Sequence, residues 1–383
     1  MTVDRLLVRG PFHGPTGYDH HVREFVRALA QQGVSIQLVD LPYWGAARLA
    51  PEHQDPWFDT LDRPVGAEVA LHFTLPHQVV PYDGLANVNY TMFEATNVHP
   101  SWIGHNSKHA LVVVPTESSR RAWLNSGFDP RRIRVSPLGV DAALFGQPAT
   151  PSPIAGPDRR PVSGFAVRFL NVSELSPRKN QYGLLRAWLR ATRPSDDAVL
   201  ILKLGLYSPD WQEVWDRTIV QIQHDVGKRF EDAAPIHTLH AILSDSEMPR
   251  LYATATHYIS MSFGEGWDQP MVEAAASGLR LIAPDHSAYQ AYLDRSCATL
   301  IPSREVPAHF PGGGITGHLF RHTRWWEPDE EEAEAAIRSA IEGRDTLTTS
   351  PRERILTDLT WTNAARRLLA VLDTISSRRW WRA

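Results

Sequence analysis

Apolar positions in this chain follow two alternating rhythms. RLLV (5–8), VSIQLVDL (34–41) and ALVVVP (110–115) are short apolar runs and read as strands. Between them, apolar residues recur at helical spacing. Tyr18 to Gln32 puts Val22, Phe25, Val26, Leu29 and Ala30 on one helical face, and Gly33 follows as a C-cap. TESSRRAWLNSG (116–127) reads as a further helix, and IRVSPLGVD (133–141) as a strand running into a loop. This β-α-β order predicts an α/β fold with a mainly parallel sheet and helices on both faces.

The rhythm breaks at QPATPSPIAGPDRRPVS (147–163), where proline, glycine and charge leave no apolar period. It then restarts. FAVRFLNVSEL (165–175) gives a strand and loop, NQYGLLRAWLRAT (180–192) a helix, and AVLILKLG (198–205) a strand. In LSDSEMPRLYATA (243–255), Ser244 and Glu247 match a capping box. HYISMS (257–262) and LRLIAP (279–284) are strands, GGGITGHLF (312–320) a flexible loop, and EPDEEEAEAAIRSAIEG (327–343) a solvated helix. The pattern divides the chain into a first domain over 1–150, a linker over 151–163, a second domain over 164–358 and a terminal helix over 359–383.

Composition narrows the class. With 383 residues, 43% hydrophobic and 21% charged, the chain is expected to be a soluble globular protein of two domains. A net charge of −4 implies no general attraction to nucleic acid. The lone Cys297 excludes an intramolecular disulfide and fits a cytoplasmic location. The first residues, MTVDRLLVRGPF, are too charged for a signal peptide, and no apolar run is long enough to span a membrane.

Chemistry concentrates in SFGEGWDQPMVEAAASGLRLIAP (262–284). Pro270 suits a first helical position, so Glu265 falls in the preceding loop and Glu273 one turn into the helix. The amides of Gly266, Trp267, Asp268 and Gln269 then face the space before a helix N-terminus, beyond the carboxyl end of a strand. Such a space favours a diphosphate. A glutamate on either side can accept hydrogen bonds from ligand hydroxyls, or simply complement the helix end.

These residues resemble the E-x7-E signature of retaining GT-B glycosyltransferases, the family 4-like group 1. The resemblance extends to Pro115-Thr116-Glu117-Ser118 with Arg121, to Ile133 through Asp141 with Phe145, and to Leu359-Thr360-Trp361-Thr362. It implies a GT-B fold: two Rossmann-like domains with a central cleft, and a C-terminal helix crossing back to the first. It also implies site roles. Glu265 would contact the transferred sugar and Glu273 the donor ribose, with the Gly266–Gln269 amides on the diphosphate. Lys179, in Pro177-Arg178-Lys179, would neutralise the leaving phosphate, with Arg178 beside it. Ser173 stands where the family commonly has arginine, so a phosphate-binding cation is missing or is replaced by Arg168 or Arg178. Gly17 of Gly14-Pro15-Thr16-Gly17-Tyr18 would let backbone approach the ligands. Asn89 to Glu94 holds no histidine where relatives have one facing the sugar; it offers Phe93 or Glu94, with Glu94 as an acceptor-side polar group or a helix-start acid. His13, Tyr18 and His99 are the acceptor-side candidates.

The implied activity is transfer of a hexose-type sugar from a UDP or GDP sugar to a hydroxyl of a glycan, lipid-linked sugar or small molecule. Configuration would be retained, with no cofactor and no metal. A GT-B epimerase or phosphorylase, and a non-catalytic nucleotide-sugar binder, use the same cleft and are the alternatives. Arg378-Arg379-Trp380-Trp381-Arg382 permits weak contact with an anionic membrane, or packs a helix end on the first domain.

Overall fold

The computed structural model describes residues 3–41, 44–45, 47–155, 160–205, 211–310 and 314–376. The basic aromatic tail at 378–382 lies outside the described residues, as do parts of the proline-rich stretch and of the loop beginning at 42. Two compact units emerge. Unit 1 holds Met1–Val140, Gly314–Arg324 and Asp358–Ala383; unit 2 holds Asp141–Gly313 and Trp325–Thr357.

Unit 1 is built on six strands: β1 (Arg5–Gly10), β2 (Ser35–Asp40), β3 (Val69–Phe73), β4 (Ala86–Tyr90), β5 (Leu111–Val114) and β6 (Ile133–Val135). They run parallel in the order β2-β1-β3-β4-β5-β6. β3 and β5 are buried at every position, as expected of strands covered on both faces. The sequence rhythm did not single out β3, because His72 interrupts its apolar run. The helices are α1 (Gly17–Gln31), α2 (Pro100–Asn106) and α3 (Glu117–Asn125). Val22, Phe25, Val26 and Leu29 of α1 are fully buried, as the spacing predicts.

Unit 2 opens with α4 (Ala142–Phe145), then alternates β7 (Val167–Glu174), α5 (Gln181–Ala191), β8 (Ala198–Gly205), α6 (Trp211–Val226), β9 (Ile236–Leu239), α7 (Met248–Thr254), β10 (His257–Ile259), α8 (Gln269–Ala276), β11 (Arg280–Pro284) and β12 (Thr299–Ile301). Its sheet is also parallel, in the order β12-β11-β10-β7-β8-β9. β7 and β10 lie at its centre, so their carboxyl ends open beside each other. β10 is shorter than the predicted 257–262 strand: the Ser260 amide still donates to the Ile282 carbonyl, and the chain beyond it forms the turn before α8. β13 (Ser303–Pro307) pairs with β14 (Arg324–Pro328), and α10 (Glu330–Ile341) packs on α5.

The rest of the chain departs from the sequence reading in three places. The glycine-rich segment expected to be a loop contains α9 (Gly314–Leu319) and joins unit 1. The proline-rich stretch begins inside unit 2: the Ser152 amide donates to the Arg250 carbonyl, and Val162 is buried. Only half of the capping box expected of Ser244 and Glu247 forms: the Ser244 amide and hydroxyl both donate to Glu247 Oε2, at 2.8 and 2.7 Å, in a turn ahead of α7, and among the described residues the hydroxyl caps no amide.

After α11 (Arg352–Asp358), α12 (Trp361–Ser376) packs on α1 within unit 1. The Trp361 ring lies 5.3 Å from Phe25, and the Val3 amide donates to Asp373 at 2.7 Å. Gly139 permits this return: a Cβ there would stand 2.4 Å from the Trp361 amide nitrogen. No helix among the described residues is long and apolar enough to cross a membrane.

Candidate functional site in unit 2

The turn between β10 and α8 is held from both sides. After β7, Pro177–Lys179 forms a single 3-10 turn, and Asn180 leaves it in a left-handed conformation (φ 51°) to cap α5 by accepting from the Gly183 amide. Asn180 also donates to the Met261 carbonyl at 2.9 Å. Arg178 donates to the Gly264 carbonyl at 2.6 Å, and the Phe263 amide donates back to the Arg178 carbonyl at 2.9 Å. The Pro177-Arg178-Lys179 turn is thereby stitched to the Glu265 turn.

The stitching brings charges together. Lys179 Nζ lies 2.7 Å from Glu265 Oε1, and Arg178 Nη1 lies 3.1 Å from Oε2. All three side chains are largely buried. Burial alone would raise the Glu265 pKa, but the attraction of Lys179 and Arg178 outweighs it and holds the carboxyl below its ordinary range. Arg178 is therefore an inward-facing cation. Arg168 is not its substitute. It sits at the opposite end of β7, donating to the Thr254 and Phe165 carbonyls. Ser173 bonds to Asn171 at 2.7 Å and receives the Gln181 amide at 2.8 Å, which braces the start of α5.

α8 begins at Gln269 and places Pro270 second, one position later than the sequence implied. Asp268 is its N-cap residue in a left-handed conformation (φ 58°), and its carboxylate does not cap the helix. It turns instead to the Tyr289 hydroxyl, which donates to Oδ2 at 2.7 Å. Burial, then the Glu265 charge, pushes the Asp268 pKa up. Trp267 is a core residue. Its indole packs on Tyr292 at 5.4 Å, and its carbonyl accepts from the Tyr292 hydroxyl at 2.9 Å. Among the described residues, the amides of Gly266, Trp267 and Asp268 meet no hydrogen-bond acceptor. Consecutive unpaired N–H groups ahead of a helix form an anion-binding concavity.

Glu273 lies one turn into α8, buried, and accepts from the Tyr252 hydroxyl at 2.9 Å. Burial raises its pKa to about 8, against the lowering effect of Tyr252 and Gln269. Above pH 4.5 the unfolded chain releases this proton, whereas the fold keeps it until about pH 8. The group's stabilising contribution is therefore full below pH 4.5 and drains away as pH rises toward 8, by at most ~1.4 kcal/mol per pH unit. Glu273→Gln cannot ionise, so its melting temperature should gain on that of the wild type steadily from pH 5 to pH 8. A difference that stays constant with pH would show that Glu273 ionises normally in the fold.

The remaining candidates lie in unit 1. Tyr18 accepts from the Met92 amide at 3.2 Å, which ties the start of α1 to the 91–94 segment bearing Glu94. Gly17 opens α1, and a Cβ there would meet nothing within 4 Å. The glycine its loop requires is Gly14, where a Cβ would lie 2.9 Å from the Asp19 carboxylate. Asp19 accepts from the Gly14 amide at 2.7 Å, a constraint that spacing alone did not disclose. His13 packs on Phe12 at 4.0 Å. His99 is the N-cap of α2 and faces His318 at 4.6 Å.

No family model and no curated protein matches the chain. Solved structures do. HepE of Anabaena, in complex with UDP and glucose, superposes with a TM-score of 0.63 at 15% identity, covering 97% of this chain and 99% of that one. Sucrose-phosphate synthase of Thermosynechococcus elongatus gives 0.63 at 15% identity, covering 98% and 99%. A glycosyltransferase of Rickettsia africae gives 0.63 at 11% identity, covering 98% and 99%. The fold is GT-B. In GT-B terms, unit 1 is the first Rossmann-like domain with α12 returned to it, and unit 2 is the second.

Proposed function

We propose that the protein is a metal-independent retaining glycosyltransferase, moving a hexose-type sugar from a UDP or GDP sugar to a hydroxyl acceptor. The observation that carries this reading is the meeting, at the carboxyl ends of β7 and β10, of the unpaired Gly266–Asp268 amides with Lys179, Arg178 and Glu265. A diphosphate seated on those amides would place its leaving oxygen toward Lys179, and Glu265 would face the sugar. Glu273 would hold the ribose. Lys179, Arg178 and the α8 N-terminus would supply the positive charge that the departing diphosphate needs. The UDP and UDP-glucose complexes of HepE support UDP as the first nucleotide to test. A role for unit 1 in reading the acceptor, through Tyr18 and Glu94, rests on the sequence resemblance.

A thermal-shift panel of nucleoside diphosphates and their sugars tests the reading. One nucleotide should raise the melting temperature, and its sugar should then yield glycosylated product with the donor's anomeric configuration by NMR. An inverted product would refute retention, and binding without turnover would make the protein a nucleotide-sugar binder.

Asp268 marks a departure inside this site, since it puts an acid beside the proposed phosphate position. Asp268→Gly removes that charge and relieves a left-handed backbone worth ~1–2 kcal/mol. Calorimetry should find UDP bound about tenfold tighter, the loss of one nearby like charge. An unchanged affinity would mean that the phosphate does not feel the Asp268 carboxylate.

A further inference from the structure

Among the described residues, four non-glycine positions have left-handed backbone, and three of them, Asn180, Asp268 and Ser287, border the Glu265 turn. Strain of this kind persists where surrounding structure enforces it, and it gathers at functional sites. Asn180 and Asp268 sit at helix starts. Ser287 (φ 45°) instead opens a short 3-10 turn, Ser287–Ala291, after β11.

The Ser287 hydroxyl is what this conformation delivers. Ser287 Oγ accepts from the Glu265 amide at 3.2 Å and lies 2.8 Å from His286 Nδ1. His286 Nε2 lies 3.0 Å from the Ser262 carbonyl. A carbonyl can only accept, so Nε2 carries a proton, and in a neutral ring Nδ1 is then an acceptor. The Ser287 O–H then donates to Nδ1, which leaves its oxygen to accept the Glu265 N–H. For a neutral imidazole this assignment satisfies all three bonds. Burial supplies the neutral form, lowering the His286 pKa to about 3.

The ring is also fixed in place. Trp326 stacks on His286 at 5.3 Å with the planes 12° apart, and its amide donates to the Phe263 carbonyl at 2.8 Å. Trp325 stacks on Phe263 at 4.9 Å. The tryptophan pair thus covers the turn that His286 and Ser287 hold from beneath.

Resting on the transferase function proposed above, we infer that His286 and Ser287 are positioning residues that fix the Glu265 carboxylate against the transferred sugar through its own backbone. The pair touches no reacting atom. It sets where the Glu265 main chain starts, and Lys179 and Arg178 set where its side chain ends. A displacement of that carboxylate by a fraction of an ångström would be felt in the chemical step more than in donor binding.

Ser287→Gly separates positioning from mere support, because glycine accepts the left-handed backbone and loses only the hydroxyl. Three readouts are compared with the wild type: melting temperature, amide hydrogen exchange of the 262–266 peptide without nucleotide, and steady-state kinetics with the donor found in the panel. The melting temperature should not fall, exchange at Glu265 should quicken about tenfold, and kcat should drop about tenfold with donor KM nearly unchanged. Ser287→Asn, which tolerates the conformation and can both accept and donate, should recover part of kcat. Exchange at the wild-type rate would overturn the inference, as would faster exchange with wild-type kcat. Should the wild type transfer no sugar from any donor, the transferase function falls, and the exchange measurement still decides whether Ser287 holds the Glu265 amide.

Discussion

Glu265→Gln should lower turnover about 1,000-fold, ~4 kcal/mol of transition-state stabilisation, without weakening UDP binding. The two halves of that result have one cause. Glu265 is a buried anion kept ionised by Lys179 at 2.7 Å and Arg178 at 3.1 Å. Positive charge grows on a sugar ring as its glycosidic bond breaks, and a fixed carboxylate beside the ring stabilises it only then. Glutamine keeps the shape and loses that term. It also releases both cations from their acid, and a diphosphate would then meet them unneutralised. The same change should destabilise the free protein by ~3–5 kcal/mol, since two buried cations lose the carboxylate they share and Arg178 keeps Glu174 only at 3.7 Å, and UDP should restore much of the melting temperature. Turnover within tenfold of the wild type would remove Glu265 from the chemistry.

The sequence disclosed the scaffold wherever local pattern and tertiary role agree. Helix α1 follows from its apolar stripe, and α8 follows from Pro270 and Gly278 at its ends. β3 stayed hidden because His72, buried and bonded to Asn87 at 2.9 Å, breaks an otherwise apolar strand. In the candidate site, the placing of Glu265 before α8 and of Glu273 within it was legible, because Pro270 marks the helix start between them. His286 and Ser287 were not, though they follow that stretch directly. Their role depends on a backbone angle at Ser287 and on a ring stacked by Trp326, 40 positions away in the chain, and neither leaves a periodic trace. Gly14 and Gly17 make the same point. Both look like permissive glycines, and only the position of the Asp19 carboxylate tells which one the loop needs.

Lys179→Met should cost about as much turnover, ~1,000-fold, and should also weaken UDP binding by about 10- to 100-fold. Methionine keeps most of the apolar stem and removes the charge. The loss acts twice. On the proposed function a leaving diphosphate would lose the cation nearest to it, and no arginine compensates at position 173, where a serine braces α5. Glu265 loses the closer of its two cations, so burial then pushes its pKa upward with only Arg178 and the Ser262 hydroxyl opposing. A proton on Glu265 would weaken its hold on the sugar, so the pH–rate profile of Lys179→Met should turn down at a higher pH than that of the wild type. Lys179→Arg should rescue poorly, because a planar guanidinium cannot occupy the space of a point charge set between a carboxylate and a phosphate. The decisive measurement is the double variant Lys179→Met with Glu265→Gln. If the two side chains act as one unit, its turnover should lie close to that of the worse single variant. Losses that multiply to about a million-fold would instead mean that Lys179 serves the phosphate and Glu265 serves the sugar independently.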